Sequence, residues 1–234
     1  VYTYSDRYVF NFNLRSDGSN TFGQYERYKF RPSWSVSGRW NAHKEPFFPT
    51  NYKIDELSLR LSYGFRGTSP SGVTPYMVLK DYGHHEPSYY PETVSSLYSF
   101  PNAGLKWEQT ATLNAGINFV LFGNRLSGSL DYEWSKSKDL LLSRPVSLVN
   151  GTRTQLYNGG KKEDDLFEME IRGEVLKQKD FRWVITANLT RHKEKILTGT
   201  NVIPGEVSIA DYLNGSILME GFPVDGFFSY KFGG

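Results

Sequence analysis

Ala111-Thr-Leu-Asn-Ala-Gly-Ile-Asn-Phe-Val-Leu-Phe-Gly-Asn-Arg-Leu-Ser-Gly-Ser-Leu-Asp-Tyr-Glu-Trp-Ser135 is the stretch whose reading decides the fold. Ala111, Leu113, Ala115, Ile117, Phe119 and Leu121 alternate with Thr112, Asn114, Gly116, Asn118 and Val120. After Phe122-Gly123-Asn124-Arg125, Leu126, Gly128, Leu130, Tyr132 and Trp134 alternate with Ser127, Ser129, Asp131, Glu133 and Ser135. Period-two alternation on both sides of a Gly-Asn turn predicts a long β-hairpin, within Leu105 to Leu142, with one apolar and one polar face. Strands of globular sheets usually run about 5–6 residues. A tilted strand crossing a bilayer needs about 9–11, the length seen here.

The composition agrees. Aromatic residues make up 16% of the 234, with 16 Tyr, 16 Phe and 5 Trp, and there are 22 Gly. Such a mixture suits an all-β chain rich in turns and in interfacial aromatic residues. A mean hydropathy of −0.50 leaves no helical membrane span. A barrel is still allowed, because only alternate residues face lipid. The formal charge of +2 gives no reason to expect a nucleic-acid partner. The absence of cysteine removes disulfides, thiolate metal sites and cysteine nucleophiles together. Val1 enters directly into a Tyr-rich segment, and Phe232-Gly233-Gly234 ends abruptly, so we expect a piece of a longer protein.

The same rhythm recurs along the chain. Tyr8, Phe10, Phe12 and Leu14 mark a first strand; Tyr28 to Trp40 mark a second, with Pro32 a difficulty because it donates no ladder hydrogen bond. Leu57, Leu59, Leu61, Tyr63 and Phe65 alternate with Ser58, Arg60, Ser62, Gly64 and Arg66. Phe167 to Val175 and Phe181 to Leu189 form a second hairpin around Lys177-Gln178-Lys179-Asp180. Residues 67–106 show no dominant period, residues 137–165 read as irregular with turns at Asn150-Gly151 and Asn158-Gly159-Gly160, and the pattern fades after His192.

Connections at 41–54, 122–125 and 177–180 are short or modest; those at 67–106, 137–165 and after 192 are long. Bacterial outer-membrane barrels sort their connections this way, with short periplasmic turns and long extracellular loops. Gly123-Asn124 is therefore expected on the periplasmic side. Seven or eight strands close only a narrow barrel, so a section of a larger wall fits better. A self-contained eight-stranded barrel with a structural or adhesion role is the alternative.

A set of segments runs along the chain in order: Asp6-Arg7-Tyr8, Arg15-Ser-Asp-Gly-Ser19 with Phe22-Gly23, Leu57-Ser-Leu-Arg-Leu-Ser-Tyr-Gly64, and Leu105-Lys-Trp-Glu108. Asn124-Arg-Leu-Ser-Gly128, Asp131-Tyr132, Lys138-Asp-Leu-Leu141, Gly221-Phe-Pro-Val224 and Tyr230-Lys231 complete it. In content and order the set resembles the C-terminal barrel of the SusC/RagA family of TonB-dependent outer-membrane transporters from Bacteroidetes. Tyr157-Asn-Gly-Gly-Lys161 departs from the family phrase, and 67–100 is idiosyncratic. The resemblance implies an antiparallel transmembrane β-barrel of roughly 22 strands, of which residues 1–234 are part of one domain without the plug or terminal strand. It implies import of oligosaccharides or oligopeptides, a SusD-like lipoprotein lid, drive from TonB through the plug, and residence in the outer membrane among lipid and lipopolysaccharide.

No hydrolase, P-loop or nucleophile–base motif is visible, so no enzyme and no cofactor is expected. His84-His85-Glu86 lacks a third ligand at metal spacing, and adjacent histidines in extended chain point apart. Glu163-Asp164-Asp165 lacks the spaced oxygens of a calcium loop and reads as an acidic loop. Asn150, Asn188 and Asn214 match the glycosylation sequon, with turn geometry sufficient for the first and last. Tyr82, His84, His85, Tyr89, Tyr90 and Tyr157, with Tyr98, are the candidates for substrate or partner contact, because tyrosine offers a flat apolar face and a polar tip. Self-packing of the loops is the plainer reading of the same tyrosines. Trp34, Trp40, Trp107, Trp134 and Trp183 are expected in interfacial girdles. Arg60, Arg66, Asp131, Glu133, Glu168, Glu170 and Arg172 are expected to face a wet lumen.

Overall fold

The computed structural model describes residues 1–20, 22, 29–48, 53–81, 95–152, 154–200, 207–215 and 217–229. Its strands are β1 (Tyr2–Tyr4), β2 (Tyr8–Gly18), β3 (Phe30–Asn41), β4 (Ile54–Thr68), β5 (Val78–Asp81), β6 (Ser95–Ser99), β7 (Glu108–Leu121), β8 (Leu126–Pro145), β9 (Thr154–Lys177) and β10 (Arg182–Thr198), followed by the short helix α1 (Ile209–Leu213). Eight strands form one antiparallel sheet in the order β1-β2-β3-β4-β7-β8-β9-β10, and β5-β6 form a separate ribbon. Among the described residues β1 and β10 do not pair, so the sheet is an open wall and not a closed small barrel.

Alternation fixes which side chains share a face. One row runs Trp40, Leu59, Ile117, Leu130, Met169 and Leu189 across six strands. The next row runs Arg39, Arg60, Gly116, Asp131, Glu168 and Thr190. One face is thus apolar and the other polar across the part of the wall that adjoins the short turns. The apolar face is bare: Phe10 is 51% exposed, Phe12 56%, Leu61 57% and Leu189 51%. At Gly128 an aromatic ring fills the gap that glycine leaves in that face. A Cβ at Gly128 would meet the ring of its cross-strand partner Phe119 at 2.7 Å.

The β7–β8 turn needs three left-handed residues in a row, Phe122 (φ 59°), Gly123 (φ 65°) and Asn124 (φ 63°). Asp55, just inside β4, holds it by accepting hydrogen bonds from the amides of Gly123 (2.7 Å) and Asn124 (3.1 Å). Pro32 is accommodated in β3 because the β3–β4 ladder begins only at Trp34, which leaves Pro32 a partner on one side.

Several expectations are corrected. The stretch 137–165 is not an irregular loop: β8 and β9, of 20 and 24 residues, carry the hairpin far beyond bilayer length. Asp139, in a left-handed conformation (φ 59°), sits at a bulge, and the register shifts again beside Leu140. A bulge displaces alternation by one residue, which is why no single period runs through the segment. Asn158-Gly-Gly lies within β9 and not at a turn, and Glu163-Asp-Asp lies in a strand and not in a loop. β10 continues past His192 to Thr198, and β5–β6 form a ribbon inside 67–106.

A small core closes the long-loop end. Phe22, Leu105 and Trp107 are buried together with Val73 and Leu141 against them, and the rings of Phe22 and Trp107 stand 5.0 Å apart. Trp107 is therefore a core residue and not a girdle residue. Trp34, Trp40, Trp134 and Trp183 do lie on the apolar face by register.

At the opposite end Glu45 ties the first strands together. Its buried carboxylate accepts from Tyr8 Oη and, at 3.0 Å, from Trp40 Nε1, with Arg7 at 3.6 Å. The Tyr8 bond, then the Trp40 bond, hold its pKa below the ordinary 4.5. A depressed acid stabilises fully above its ordinary value and loses that contribution as pH falls through the folded one. Protection of the Asn41 and Phe48 amides against hydrogen exchange should therefore drop on acidification below pH 4.5, and Glu45→Gln should remove that step. Protection that stays flat in the parent protein would contradict the clasp.

Candidate functional site

The polar face gathers every charged residue expected to face water. Arg60 and Arg66 on β4, Asp131 and Glu133 on β8, and Glu168, Glu170 and Arg172 on β9 all occupy it by register. Arg39 and Arg60 stand directly opposite one another, a like-charge pair that destabilises unless one side chain turns away. Both do. Arg39 Nε donates to Asn41 at 2.9 Å, while Arg60 Nη2 reaches Asp131 Oδ1 at 2.7 Å and Asn118 at 3.2 Å.

The Arg60–Asp131 ion pair joins β4 to β8 across the intervening β7. Gly116 makes this possible. A Cβ there would run into Asp131 Oδ1 and lie 3.0 Å from Arg60 Nη2. The pair forms the floor of a groove of about 390 Å³ whose lining includes Ser37, Arg39, Ser62, Asn114, Glu133 and Glu168. Arg66, Glu133, Glu168, Glu170 and Arg172 make no ion pair or side-chain hydrogen bond among the described residues. Charges left so are stable only in water.

Tyr82, His84, His85, Tyr89 and Tyr90 lie outside the described residues. Tyr157 belongs to β9 and not to a loop; it pairs with Leu142, and the Arg144 guanidinium lies 5.3 Å from its ring centre. Tyr98 lies on β6 and is 68% exposed. The structure therefore does not bring Tyr157 into the charged groove.

Sequence reasoning missed the junction that organises the long-loop end. Lys106 pairs with Asp139 at 2.7 Å, and Glu108 accepts from the Leu141 amide at 2.9 Å. Asn158 completes it, accepting from the Lys106 amide (3.0 Å) and donating to the carbonyls of Lys106 (2.9 Å) and Asp139 (2.7 Å). Gln109 links Asp139 (3.2 Å) to Arg31 (2.6 Å). The segments 105–108, 138–141 and 157–161 were visible in sequence as separate phrases, but nothing in their spacing signals that they meet. Asx residues engaged in this way fix a bulge by replacing its lost ladder bonds.

The family model described as "TonB dependent receptor-like, beta-barrel" matches residues 1–213. The chain is 32% identical over 242 aligned residues to TonB-dependent receptor P3 of Formosa agariphila, covering all of this chain and 24% of that protein. It is 30% identical over 208 residues to TonB-dependent receptor SusC of Bacteroides thetaiotaomicron, covering 85% of this chain and 20% of the relative. Its fold matches the solved RagAB peptide transporter with a TM-score of 0.77 at 22% identity, over 94% of this chain and 23% of that one. The chain thus spans about a quarter or less of the length of these relatives.

If the polar face is wet, the Arg60–Asp131 pair, 43% and 39% exposed, contributes little. A double-mutant cycle of Arg60→Gln and Asp131→Asn should give a coupling within about 1 kcal/mol in urea unfolding. Gly116→Val should separate the two side chains at a similarly small loss. A coupling of about 3 kcal/mol or more would mark a dry, desolvated pair instead.

Proposed function

This chain belongs to the TonB-dependent receptor-like β-barrel family of outer-membrane proteins, and from that membership we propose that it forms part of the wall of a SusC-like active importer. The substrate is an oligosaccharide or an oligopeptide; a relative of like fold is a peptide transporter. A SusD-like lipoprotein closes the extracellular side, and TonB supplies energy through a plug. Residues 1–234 act as one stretch of barrel domain and do no chemistry themselves.

One observation carries this reading: a single sheet has a bare apolar face and an opposite face rich in charges, of which Arg66, Glu133, Glu168, Glu170 and Arg172 have no ion pair among the described residues. A soluble protein rarely exposes a contiguous apolar patch larger than a few hundred square ångströms. Here the apolar side chains of β2 to β10 form one continuous surface, with Leu14 67% and Phe10 51% exposed at one end and Ile185 47% at the other. Hydrocarbon solvates such a face, and a water-filled lumen solvates Arg66, Glu168, Glu170 and Arg172. Exposed tyrosines at the long-loop end, Tyr76 and Tyr98 among them, suit stacking on sugar rings or packing against a lid.

The chain has no cysteine, so single cysteines can report each face. In the full-length protein, freed of any other cysteine, Glu170→Cys and Arg172→Cys should react with a water-soluble maleimide. Ile185→Cys and Leu189→Cys should resist it and meet a lipid-dissolved probe. The reverse pattern would sink the wall reading. A strain without the gene should lose growth on oligosaccharides or on oligopeptides as sole source, and unaltered growth on both would remove import.

A further inference from the structure

The outward, apolar face changes character abruptly at one place. On β8 the outward residues run Leu126, Gly128, Leu130, Tyr132, Trp134 and then Lys136; on β9, Val175, Gly173, Ile171, Met169, Phe167 and then Asp165 and Glu163; on β10, Trp183, Ile185, Ala187, Leu189 and then Arg191, Lys193 and Lys195. The rows match. Phe167 faces Arg191, Asp165 faces Lys193, and Glu163 lies between Lys136 and Lys195.

The charges begin about 9–11 residues from the short turns, where a tilted strand leaves the hydrocarbon. This belt is local. The corresponding outward positions nearer the other end of the wall are Ser16 and Gly18 on β2, Phe30 and Pro32 on β3, and Ala111 on β7.

Both acids of the belt are engaged by girdle aromatics: Asp165 accepts from Tyr132 Oη and Glu163 from Trp134 Nε1. The four cations are exposed and make no ion pair or side-chain hydrogen bond among the described residues. At the same level the inward face pairs its own charges, Lys162 with Asp164 (3.4 Å) and Glu194 (2.6 Å), and His192 with Asp164 (3.4 Å). A depression of about 230 Å³ opens outward between Tyr132, Asp165, Phe167, Arg191 and Lys193.

Cations outnumber acids four to two on a surface that, on the proposed wall reading, sits at the headgroup level of the outer leaflet. Ammonium and guanidinium groups at that depth bind phosphate with charge-assisted hydrogen bonds, while Phe167 and Tyr132 pack against the adjoining chain. We infer that Lys136, Arg191, Lys193 and Lys195 form a docking site for the phosphates of an anionic glycolipid of the lipid A class, held at the barrel's outer surface. The site rests on the wall reading and adds to it a lipid that the lumen does not touch.

The test uses the full-length protein in a neutral maltoside detergent, titrated with fluorescent diphosphoryl lipid A. Arg191→Gln/Lys193→Gln should weaken binding by about tenfold or more. Arg125→Gln/Lys179→Gln, which removes two cations at the opposite rim, should leave it unchanged. The single variants R191Q and K193Q carry the measurement if the double variant does not fold, as judged by heat-modifiable electrophoretic mobility. Dephosphorylated lipid A should bind parent and variant alike, and millimolar inorganic phosphate should not compete. Equal affinity of parent and folded variant, equal loss in the control pair, or full competition by free phosphate would each overturn the site. Tryptophan quenching by brominated neutral lipid reads the wall independently. Quenching with no effect of R191Q/K193Q refutes the site alone, whereas no quenching in the parent refutes the wall.

Discussion

Everything in this structure depends on the backbone ladder being continuous from β2 to β10. In hydrocarbon an unpaired amide or carbonyl costs several kcal/mol, so each strand must be paired along the part that crosses. The pairing is antiparallel throughout, and the registers run without interruption through the bilayer-length segments of β4, β7, β8 and β9. Irregularities are pushed to the ends: the shifts lie beside Ile54, Trp183, Ile196 and the Lys138–Leu141 segment. An uninterrupted ladder also makes alternation strict, because a slip of one residue would turn arginine and glutamate toward lipid.

Strict alternation then sets the electrostatics. Charges placed on one face meet a partner two residues along their own strand, as Lys162 meets Asp164, or reach across strands. Arg60 does this over Gly116, and the missing side chain on β7 lets β4 and β8 be linked directly. At the long-loop end the problem is different, since the strands outrun the bilayer and need other partners. There Asn158, Asp139 and Lys106 knit the β8 bulge to the segment before β7, and Phe22, Leu105 and Trp107 supply the only buried apolar cluster among the described residues. The wall is otherwise almost without a core, because its apolar side chains face outward.

Legibility in the sequence followed the same division. Stretches whose alternation is unbroken, such as 57–66, 111–135 and 167–173, could be read residue by residue, including the faces of Arg60, Asp131 and Glu170. The reading failed where alternation is broken. The Asp139 bulge shifted the phase and made 20- and 24-residue strands look like loop. Trp107, assigned to a girdle by residue type, is buried because the chain segment bearing Phe22 folds onto it. Asn158-Gly159-Gly160 has turn chemistry and suggests a loop at Tyr157, yet the flanking ladder keeps it extended. The cation belt escaped notice because its members come from β8 and β10, some 55 to 59 residues apart in sequence.

By itself the sequence determined the fold class, the long hairpins on either side of Gly123-Asn124 and of 177–180, and the apolar or polar identity of each face within them. These are local properties, encoded at a spacing of two residues. Only the tertiary structure decided which strands are neighbours, that Arg60 finds Asp131 across Gly116, and that three separate phrases meet at Asn158. It also decided that four cations line up just past the aromatic rows. Such facts depend on register between segments far apart in the chain, and register is set by the summed pairing of whole strands, which no local pattern carries.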